Sequence, residues 1–153
     1  METTPKHDKR IAEMIFAEIY PLYLNKIVRK GRTEEELIEV IEWLTGFDKQ
    51  SLENLRAEKV TYKTFFDRAE LNPKAESIRG VVCGYRIENI QTPLTKKARY
   101  LDKIVDELAK GRTLDKIKRL WVYIYPLSNP TAQEAINSMK EYRLLKTMKS
   151  PLR

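Results

Sequence analysis

The sequence predicts a mainly α fold, a compact bundle of short helices followed by a C-terminal extension. Three observations carry that expectation. Apolar residues recur at i, i+3 and i+4 through most of the chain. Threonine, aspartate and proline stand where helices would start. The tetrapeptide Lys-Gly-Arg-Thr occurs twice, at residues 30–33 and 110–113, each time between two helical patterns. In that tetrapeptide lysine suits the last turn of a helix, glycine the positive φ just past its end, and threonine the next N-cap. The repeat therefore predicts helix, tight corner, helix, twice over.

The elements follow in order. Ile11, Met14, Ile15 and Ile19 form one stripe, which Pro21 interrupts. Either the helix kinks there or a second helix begins with proline in its first turn. The stripe resumes through Leu24, Ile27 and Val28 to Gly31. Thr33 and Glu36 make a capping box, with Glu34 and Glu35 favoured at the positive end of the helix dipole. That helix would bury Leu37, Val40, Ile41 and Leu44 and stop at Gly46. Asp48 predicts the cap of a short helix carrying Leu52 and Leu55. Thr61 predicts another, with Phe65, Phe66 and Ala69 on its apolar face. Asn72-Pro73 is a break.

Residues 79–87 are ambiguous. Val81, Cys83, Tyr85 and Ile87 alternate like a strand, whereas Ile78, Val82, Tyr85 and Asn89 fall at helical spacing. The helical surroundings favour a helix. Thr92-Pro93 predicts a helix running through Ala98, Leu101, Ile104, Val105 and Leu108 to Gly111. Aligned on the tetrapeptide, Tyr20, Leu24, Val28 and Leu37 match Tyr100, Ile104, Leu108 and Ile117, a likeness that convergence of amphipathic helices explains better than duplication. The run 120–125 is aromatic and β-branched; it ends the preceding helix or is extended. Asn129-Pro130 opens a last helix with Lys140, Arg143, Lys146 and Lys149 on its polar face.

Three segments resemble a known family: residues 20–48, with Tyr-Pro-Leu-Tyr at one end and Trp-Leu-Thr-Gly-Phe-Asp at the other; Gly-Val-Val-Cys-Gly at 80–84; and Arg-Tyr-Leu-Asp-Lys-Ile-Val-Asp-Glu-Leu-Ala-Lys-Gly-Arg at 99–112. Together they resemble the prokaryotic domain of unknown function 2200, over residues 10–119. The resemblance implies a small helical domain and strengthens the helical expectation for 79–87. It implies no activity, cofactor or site residue. On this division residues 1–9 are a polar tail and 120–153 an addition that packs on the domain or on a second chain.

Composition narrows the function classes. A chain of 153 residues with 42% apolar and 33% charged residues is the size of one domain with a core. One cysteine and one histidine exclude an intrachain disulfide, a thiolate cluster and zinc-finger spacing. A polar start and charge-interrupted apolar runs predict neither signal peptide nor membrane span, so a cytoplasmic location is expected. The net charge of +7 is uneven: residues 1–70 carry −2 and residues 71–153 carry +9.

Candidate chemistry is sparse. His7 reads as a solvated residue, and Cys83 as a small buried apolar side chain more readily than as a nucleophile. Glu34, Glu35, Glu36, Glu39 and Glu42 read as a helix start and its outer face. Arg32 and Arg112, each beside a helix N-terminus, are candidate anion contacts. Lys116, Lys118, Arg119, Lys140 and Arg143, near Trp121, Tyr123 and Tyr125, are candidate nucleic-acid contacts. No catalytic residue, cofactor or metal site is expected. The leading expectation is a non-enzymatic cytoplasmic interaction module that dimerises with a second copy through 120–126. The alternatives are polyanion binding by the basic C-terminal third and, last, a small enzyme with a site near Cys83.

Overall fold

A computed structural model describes residues 2–120. The expected final helix, the aromatic run beyond Leu120 with its dimer contact, and Lys140 and Arg143 lie outside the described residues. Within them the chain folds into seven α-helices and one small hairpin: α1 (Pro5–Glu13), α2 (Phe16–Val28), α3 (Glu34–Thr45), α4 (Lys49–Ala57), α5 (Tyr62–Arg68), β1 (Val81–Val82), β2 (Tyr85–Arg86), α6 (Pro93–Ala109) and α7 (Leu114–Ile117). Short 3-10 turns at Pro73–Ser77 and Ile87–Asn89 flank the hairpin.

Most of the expected helix ends are observed. Thr33 and Glu36 form the reciprocal capping box of α3, which ends at Gly46 with φ of 76°. The Asp48 carboxylate accepts from the Ser51 amide at 2.7 Å, and Thr61 Oγ1 accepts from the Thr64 amide at 3.2 Å. The two tetrapeptides fold alike. Gly31 and Gly111 take φ of 80° and 88°. Their amides reach back to Val28 and Leu108, and the following amides, of Arg32 and Arg112, reach Ile27 and Glu107 at 3.0 and 3.1 Å. Both are Schellman corners, the glycine-terminated helix end that satisfies two orphan carbonyls.

Four expectations are corrected. Of the two readings of Pro21, the start of a second helix is not observed; Pro21 lies inside α2. The break falls earlier, at Met14-Ile15, where the backbone is extended and pairs with the chain before α5. Phe16 donates to the Val60 carbonyl at 3.0 Å, and Tyr62 donates to that of Met14 at 2.7 Å. A tertiary backbone bridge thus overrides a continuous helical stripe. The segment 79–87 is a hairpin, not a helix, with Val81 opposite Arg86 and Val82 opposite Tyr85. Cys83 and Gly84 both have positive φ, 52° and 81°, the pair that a two-residue type I′ turn requires. Cys83 is therefore exposed at the turn tip rather than buried. Finally, residues 5–9 of the expected polar tail are helical, in α1.

Helix α6 is the axis of the molecule. It touches α1, α2, α3, α5, α7 and β1. Ala98, Leu101, Ile104, Val105 and Leu108 are buried along it. On one flank Phe16, Tyr62, Phe65 and Phe66 form an aromatic cluster, with Phe16 stacked on Phe65 at 4.2 Å between centroids. On the other, α2 runs beside α6 in the same direction, since Tyr23 meets Asp102, Lys26 meets Asp106 and Arg32 meets Arg112 in step.

Candidate functional site

The site grows out of how α6 is held. Its N-terminus is capped from another helix. Asp8 of α1 accepts from the Leu94 amide at 3.3 Å, the Thr95 amide at 2.8 Å and Thr95 Oγ1 at 2.5 Å. Thr92, the expected cap, makes no capping bond and instead donates from its hydroxyl to Thr3. Burial pushes the Asp8 carboxyl up, but the Thr95 and Leu94 bonds outweigh it and hold the group below its ordinary range.

The C-terminal two thirds of α6 is paired side chain by side chain. Asp102 accepts from the Tyr23 hydroxyl at 2.6 Å and from Arg99 Nη1 at 2.8 Å. Tyr23 shares a second bond with the Tyr62 hydroxyl at 2.8 Å. Burial above all, with Tyr62 and Asp102 beside it, pushes the Tyr23 phenol well up, so it stays a donor. The Arg99 guanidinium lies 4.7 Å from the Tyr85 ring centre. Lys103 donates to the Val81 carbonyl at 3.1 Å and so ties the hairpin to the helix. Asp106 bridges Lys26 and Lys110 at 3.1 and 2.8 Å. Glu107, its side chain 3% exposed, is met by both arms of the buried Arg119 at 2.8 and 2.7 Å.

The N-terminal third differs. Lys96, Lys97 and Tyr100 lie one turn apart on one face, together with Pro93. They form one wall of a groove of about 600 Å³. Segment 71–79 forms the other wall, with Ala75 and Ile78 as apolar lining and Glu76 and Arg79 at the rim. Glu88 also lines it. Its carboxylate accepts from the Gly80 amide at 2.9 Å and from Arg86 at 3.2 Å. The Gly80 bond foremost, then its own amide and Arg86, lower it to about 2. The side chains of Lys96, Lys97 and Arg79 make no hydrogen bond or ion pair among the described residues.

The residues singled out from the sequence go elsewhere. Arg32, its side chain 15% exposed, grips Glu36 at 2.5 Å and donates to the carbonyls of Arg112 and Leu108 at 2.8 and 3.4 Å. It joins the two corners and presents no free face to an anion. Arg112 is 57% exposed, with Glu107 3.5 Å away. Lys116 is exposed. Lys118 is paired with Glu39. Arg119 is buried against Glu107, which withdraws it from any polyanion. His7 closes a capping box with Thr4 and meets the Tyr85 ring edge-on at 6.1 Å, rather than standing free in solvent. Glu35, Glu39 and Glu42 lie exposed along α3, as an outer face. Among the described residues no cluster of His, Cys, Asp and Glu is placed to hold a metal, and no helix is long and apolar enough to cross a membrane.

Sequence reasoning missed Arg79, Lys96, Lys97 and Tyr100. A signal was present for the lysines. Two adjacent lysines in the opening turns after Thr92-Pro93 oppose the positive end of the helix dipole, and the first turn holds no acid to offset them.

By fold this is a compact helical domain, and by site a domain with a polar groove beside its central helix. The chain belongs to the bacterial family named domain of unknown function 2200, described as an uncharacterized protein conserved in bacteria, whose profile matches residues 10–119. It is similar to a solved structure titled "Crystal structure of uncharacterized protein SP1917": 37% identity, TM-score 0.69, covering 74% of this chain and 93% of that one. Comparison with curated proteins gave no match.

Proposed function

We propose that the protein is a non-enzymatic cytoplasmic interaction module that holds an anionic partner in the α6 groove. One observation carries the proposal: Lys96, Lys97 and Arg79 line a groove without an acid partner among the described residues, whereas the cations further along α6 are bonded. Unpaired cations converging on a concave surface raise the local concentration of anions and speed their capture. Polyanion binding, first expected from Lys116, Lys118 and Arg119, moves on this proposal to the groove. Glu76 and Glu88 at its rim oppose a long, uniformly charged chain.

The test is a calorimetric titration of the full chain with inorganic pyrophosphate at low salt. Wild-type protein should bind it, and Lys96→Gln with Lys97→Gln should weaken binding roughly tenfold or more. Arg29→Gln with Lys30→Gln, exposed cations at the first corner, should not. Equal weakening by both pairs would mean diffuse charge attraction and would overturn the proposal.

A further inference from the structure

A second groove lies on α3. Glu35, Ile38, Glu39 and Glu42 recur at helical spacing on one face of that helix, with Trp43 one turn beyond Glu39. This face flanks the core stripe of Leu37, Val40, Ile41 and Leu44. Ile38 and Trp43 pack against the core but stay only partly buried. Lys118, the residue after α7, completes the lining and pairs with Glu39. The groove measures about 550 Å³ and shares no residue with the one beside α6. The backbone under Trp43 is fixed from outside the helix. Asn72 donates from its side chain to the Trp43 carbonyl at 3.2 Å and from its amide to the Leu44 carbonyl at 2.9 Å.

We infer that residues 121–125 of this same chain lie in the α3 groove, over Ile38 and Trp43, and bring the basic segment behind them onto the glutamates. Reach supports this docking. Trp121 is three residues past Lys118, which lines the groove, so the run starts within about 10 Å of it. Five extended residues span about 17 Å, against about 12 Å of α3 between Glu35 and Trp43. Side-chain chemistry agrees. Residues 121–125 are tryptophan, valine, tyrosine, isoleucine and tyrosine. Their apolar area favours burial on a partly exposed isoleucine and tryptophan, and the two phenols can donate to glutamates. Charge selects this groove over the other. Residues 121–153 hold five cations, Lys140, Arg143, Lys146, Lys149 and Arg153, and two acids, Glu134 and Glu141, a net of +3. Three glutamates and one lysine give the α3 groove a net of −2. Arg79, Lys96 and Lys97 against Glu76 and Glu88 give the α6 groove a net of +1. A cationic segment is drawn to the first and repelled by the second. No anion in the α6 groove enters into this docking.

The experiment uses the full chain. In wild type, nuclear Overhauser contacts should join the Trp121 ring to the Ile38 methyls and the Trp43 ring. In a mixture of labelled and unlabelled chains, a spectrum filtered for contacts between chains should lack them. Trp43 and Trp121 are the two tryptophans of the sequence, so Trp43→Phe leaves Trp121 as the single indole reporter. Its emission should be blue-shifted and resistant to acrylamide, equally so on dilution. Adding Glu35→Lys with Glu42→Lys, both exposed side chains, should raise the quenching several-fold with helix content unchanged. Absence of the Overhauser contacts in wild type overturns the inference, whatever the fluorescence shows. Contacts that appear only between chains, or protection lost on dilution, give the groove to a second copy and overturn it as well. Protection that survives the charge reversal places the run elsewhere and does the same. Each of these outcomes leaves pyrophosphate binding beside α6 untouched.

Discussion

The two ends of α6 treat charge in opposite ways. Toward the C-terminus every acidic residue of the helix is bonded: Asp102 to Tyr23 and Arg99, Asp106 to Lys26 and Lys110, Glu107 to Arg119. Toward the N-terminus two lysines sit near the positive end of the helix dipole with no ion pair among the described residues, beside a groove that Glu76 and Glu88 also line. The first arrangement is what a fold needs, since buried ions must be compensated. The second contributes nothing to folding that the structure displays. On the proposed function, that contrast separates residues that hold the helix from residues that the held helix would offer to a partner.

The comparison breaks most sharply at its buried end. Arg119→Ala would strand Glu107, 3% exposed, without its bidentate partner. It should cost about 3–5 kcal/mol in urea unfolding. Tyr23→Phe leaves Asp102 and the Tyr62 hydroxyl each short of one bond, and about 1–3 kcal/mol should be lost. Asp8→Ala uncaps α6 and should cost about 1 kcal/mol at neutral pH. The Asp8 carboxyl is held below its ordinary value of 3.8 in the folded state. Its contribution is therefore full above that value and disappears as pH falls through the lower folded value. Wild type and Asp8→Ala should converge in acid; a gap that persists there would show that the carboxylate charge is not what caps the helix.

Smaller effects sharpen the same division. Arg32→Gln should cost about 1 kcal/mol, because the guanidinium bonds Glu36 and two carbonyls of the second corner. Arg112→Gln, in the same tetrapeptide, should stay within about 0.5 kcal/mol, because its side chain is mostly exposed. Equal costs would mean that the corners, and not their contacts, set stability. Lys96→Gln with Lys97→Gln should be neutral or slightly stabilising, since it removes cations from the positive end of a helix.

Much of this frame was legible in the sequence. The capping box at Thr33, the caps at Asp48 and Thr61, and both glycine corners depend on a few neighbouring residues, and local chemistry suffices for them. The break at Met14-Ile15 was not legible, because it is made by pairing with Val60 and Tyr62, far along the chain. The hairpin was half legible: the alternation was visible, but a type I′ turn on Cys83-Gly84, with cysteine at positive φ, carries none of the usual turn residues in its first position. The groove was the least legible part. Its walls, 71–79 and 93–100, lie on either side of the hairpin that the sequence reading took for a helix, and its cations look like any solvated lysines until their neighbours are known. Arg32 and Arg112 show the converse: one tetrapeptide fixes one backbone, while surroundings decide which guanidinium is held.

The central claim is that the opening turns of α6 bind an anion that the rest of the molecule does not. The most direct measurement is the affinity of the wild-type chain for inorganic pyrophosphate between low salt and about 0.5 M salt, set beside the Lys96→Gln, Lys97→Gln variant. A groove site predicts saturable binding that weakens with salt, is lost in the variant, and shifts amides only at 73–79 and 93–100. Binding of equal strength in the variant, or shifts centred on the two glycine corners, would contradict it.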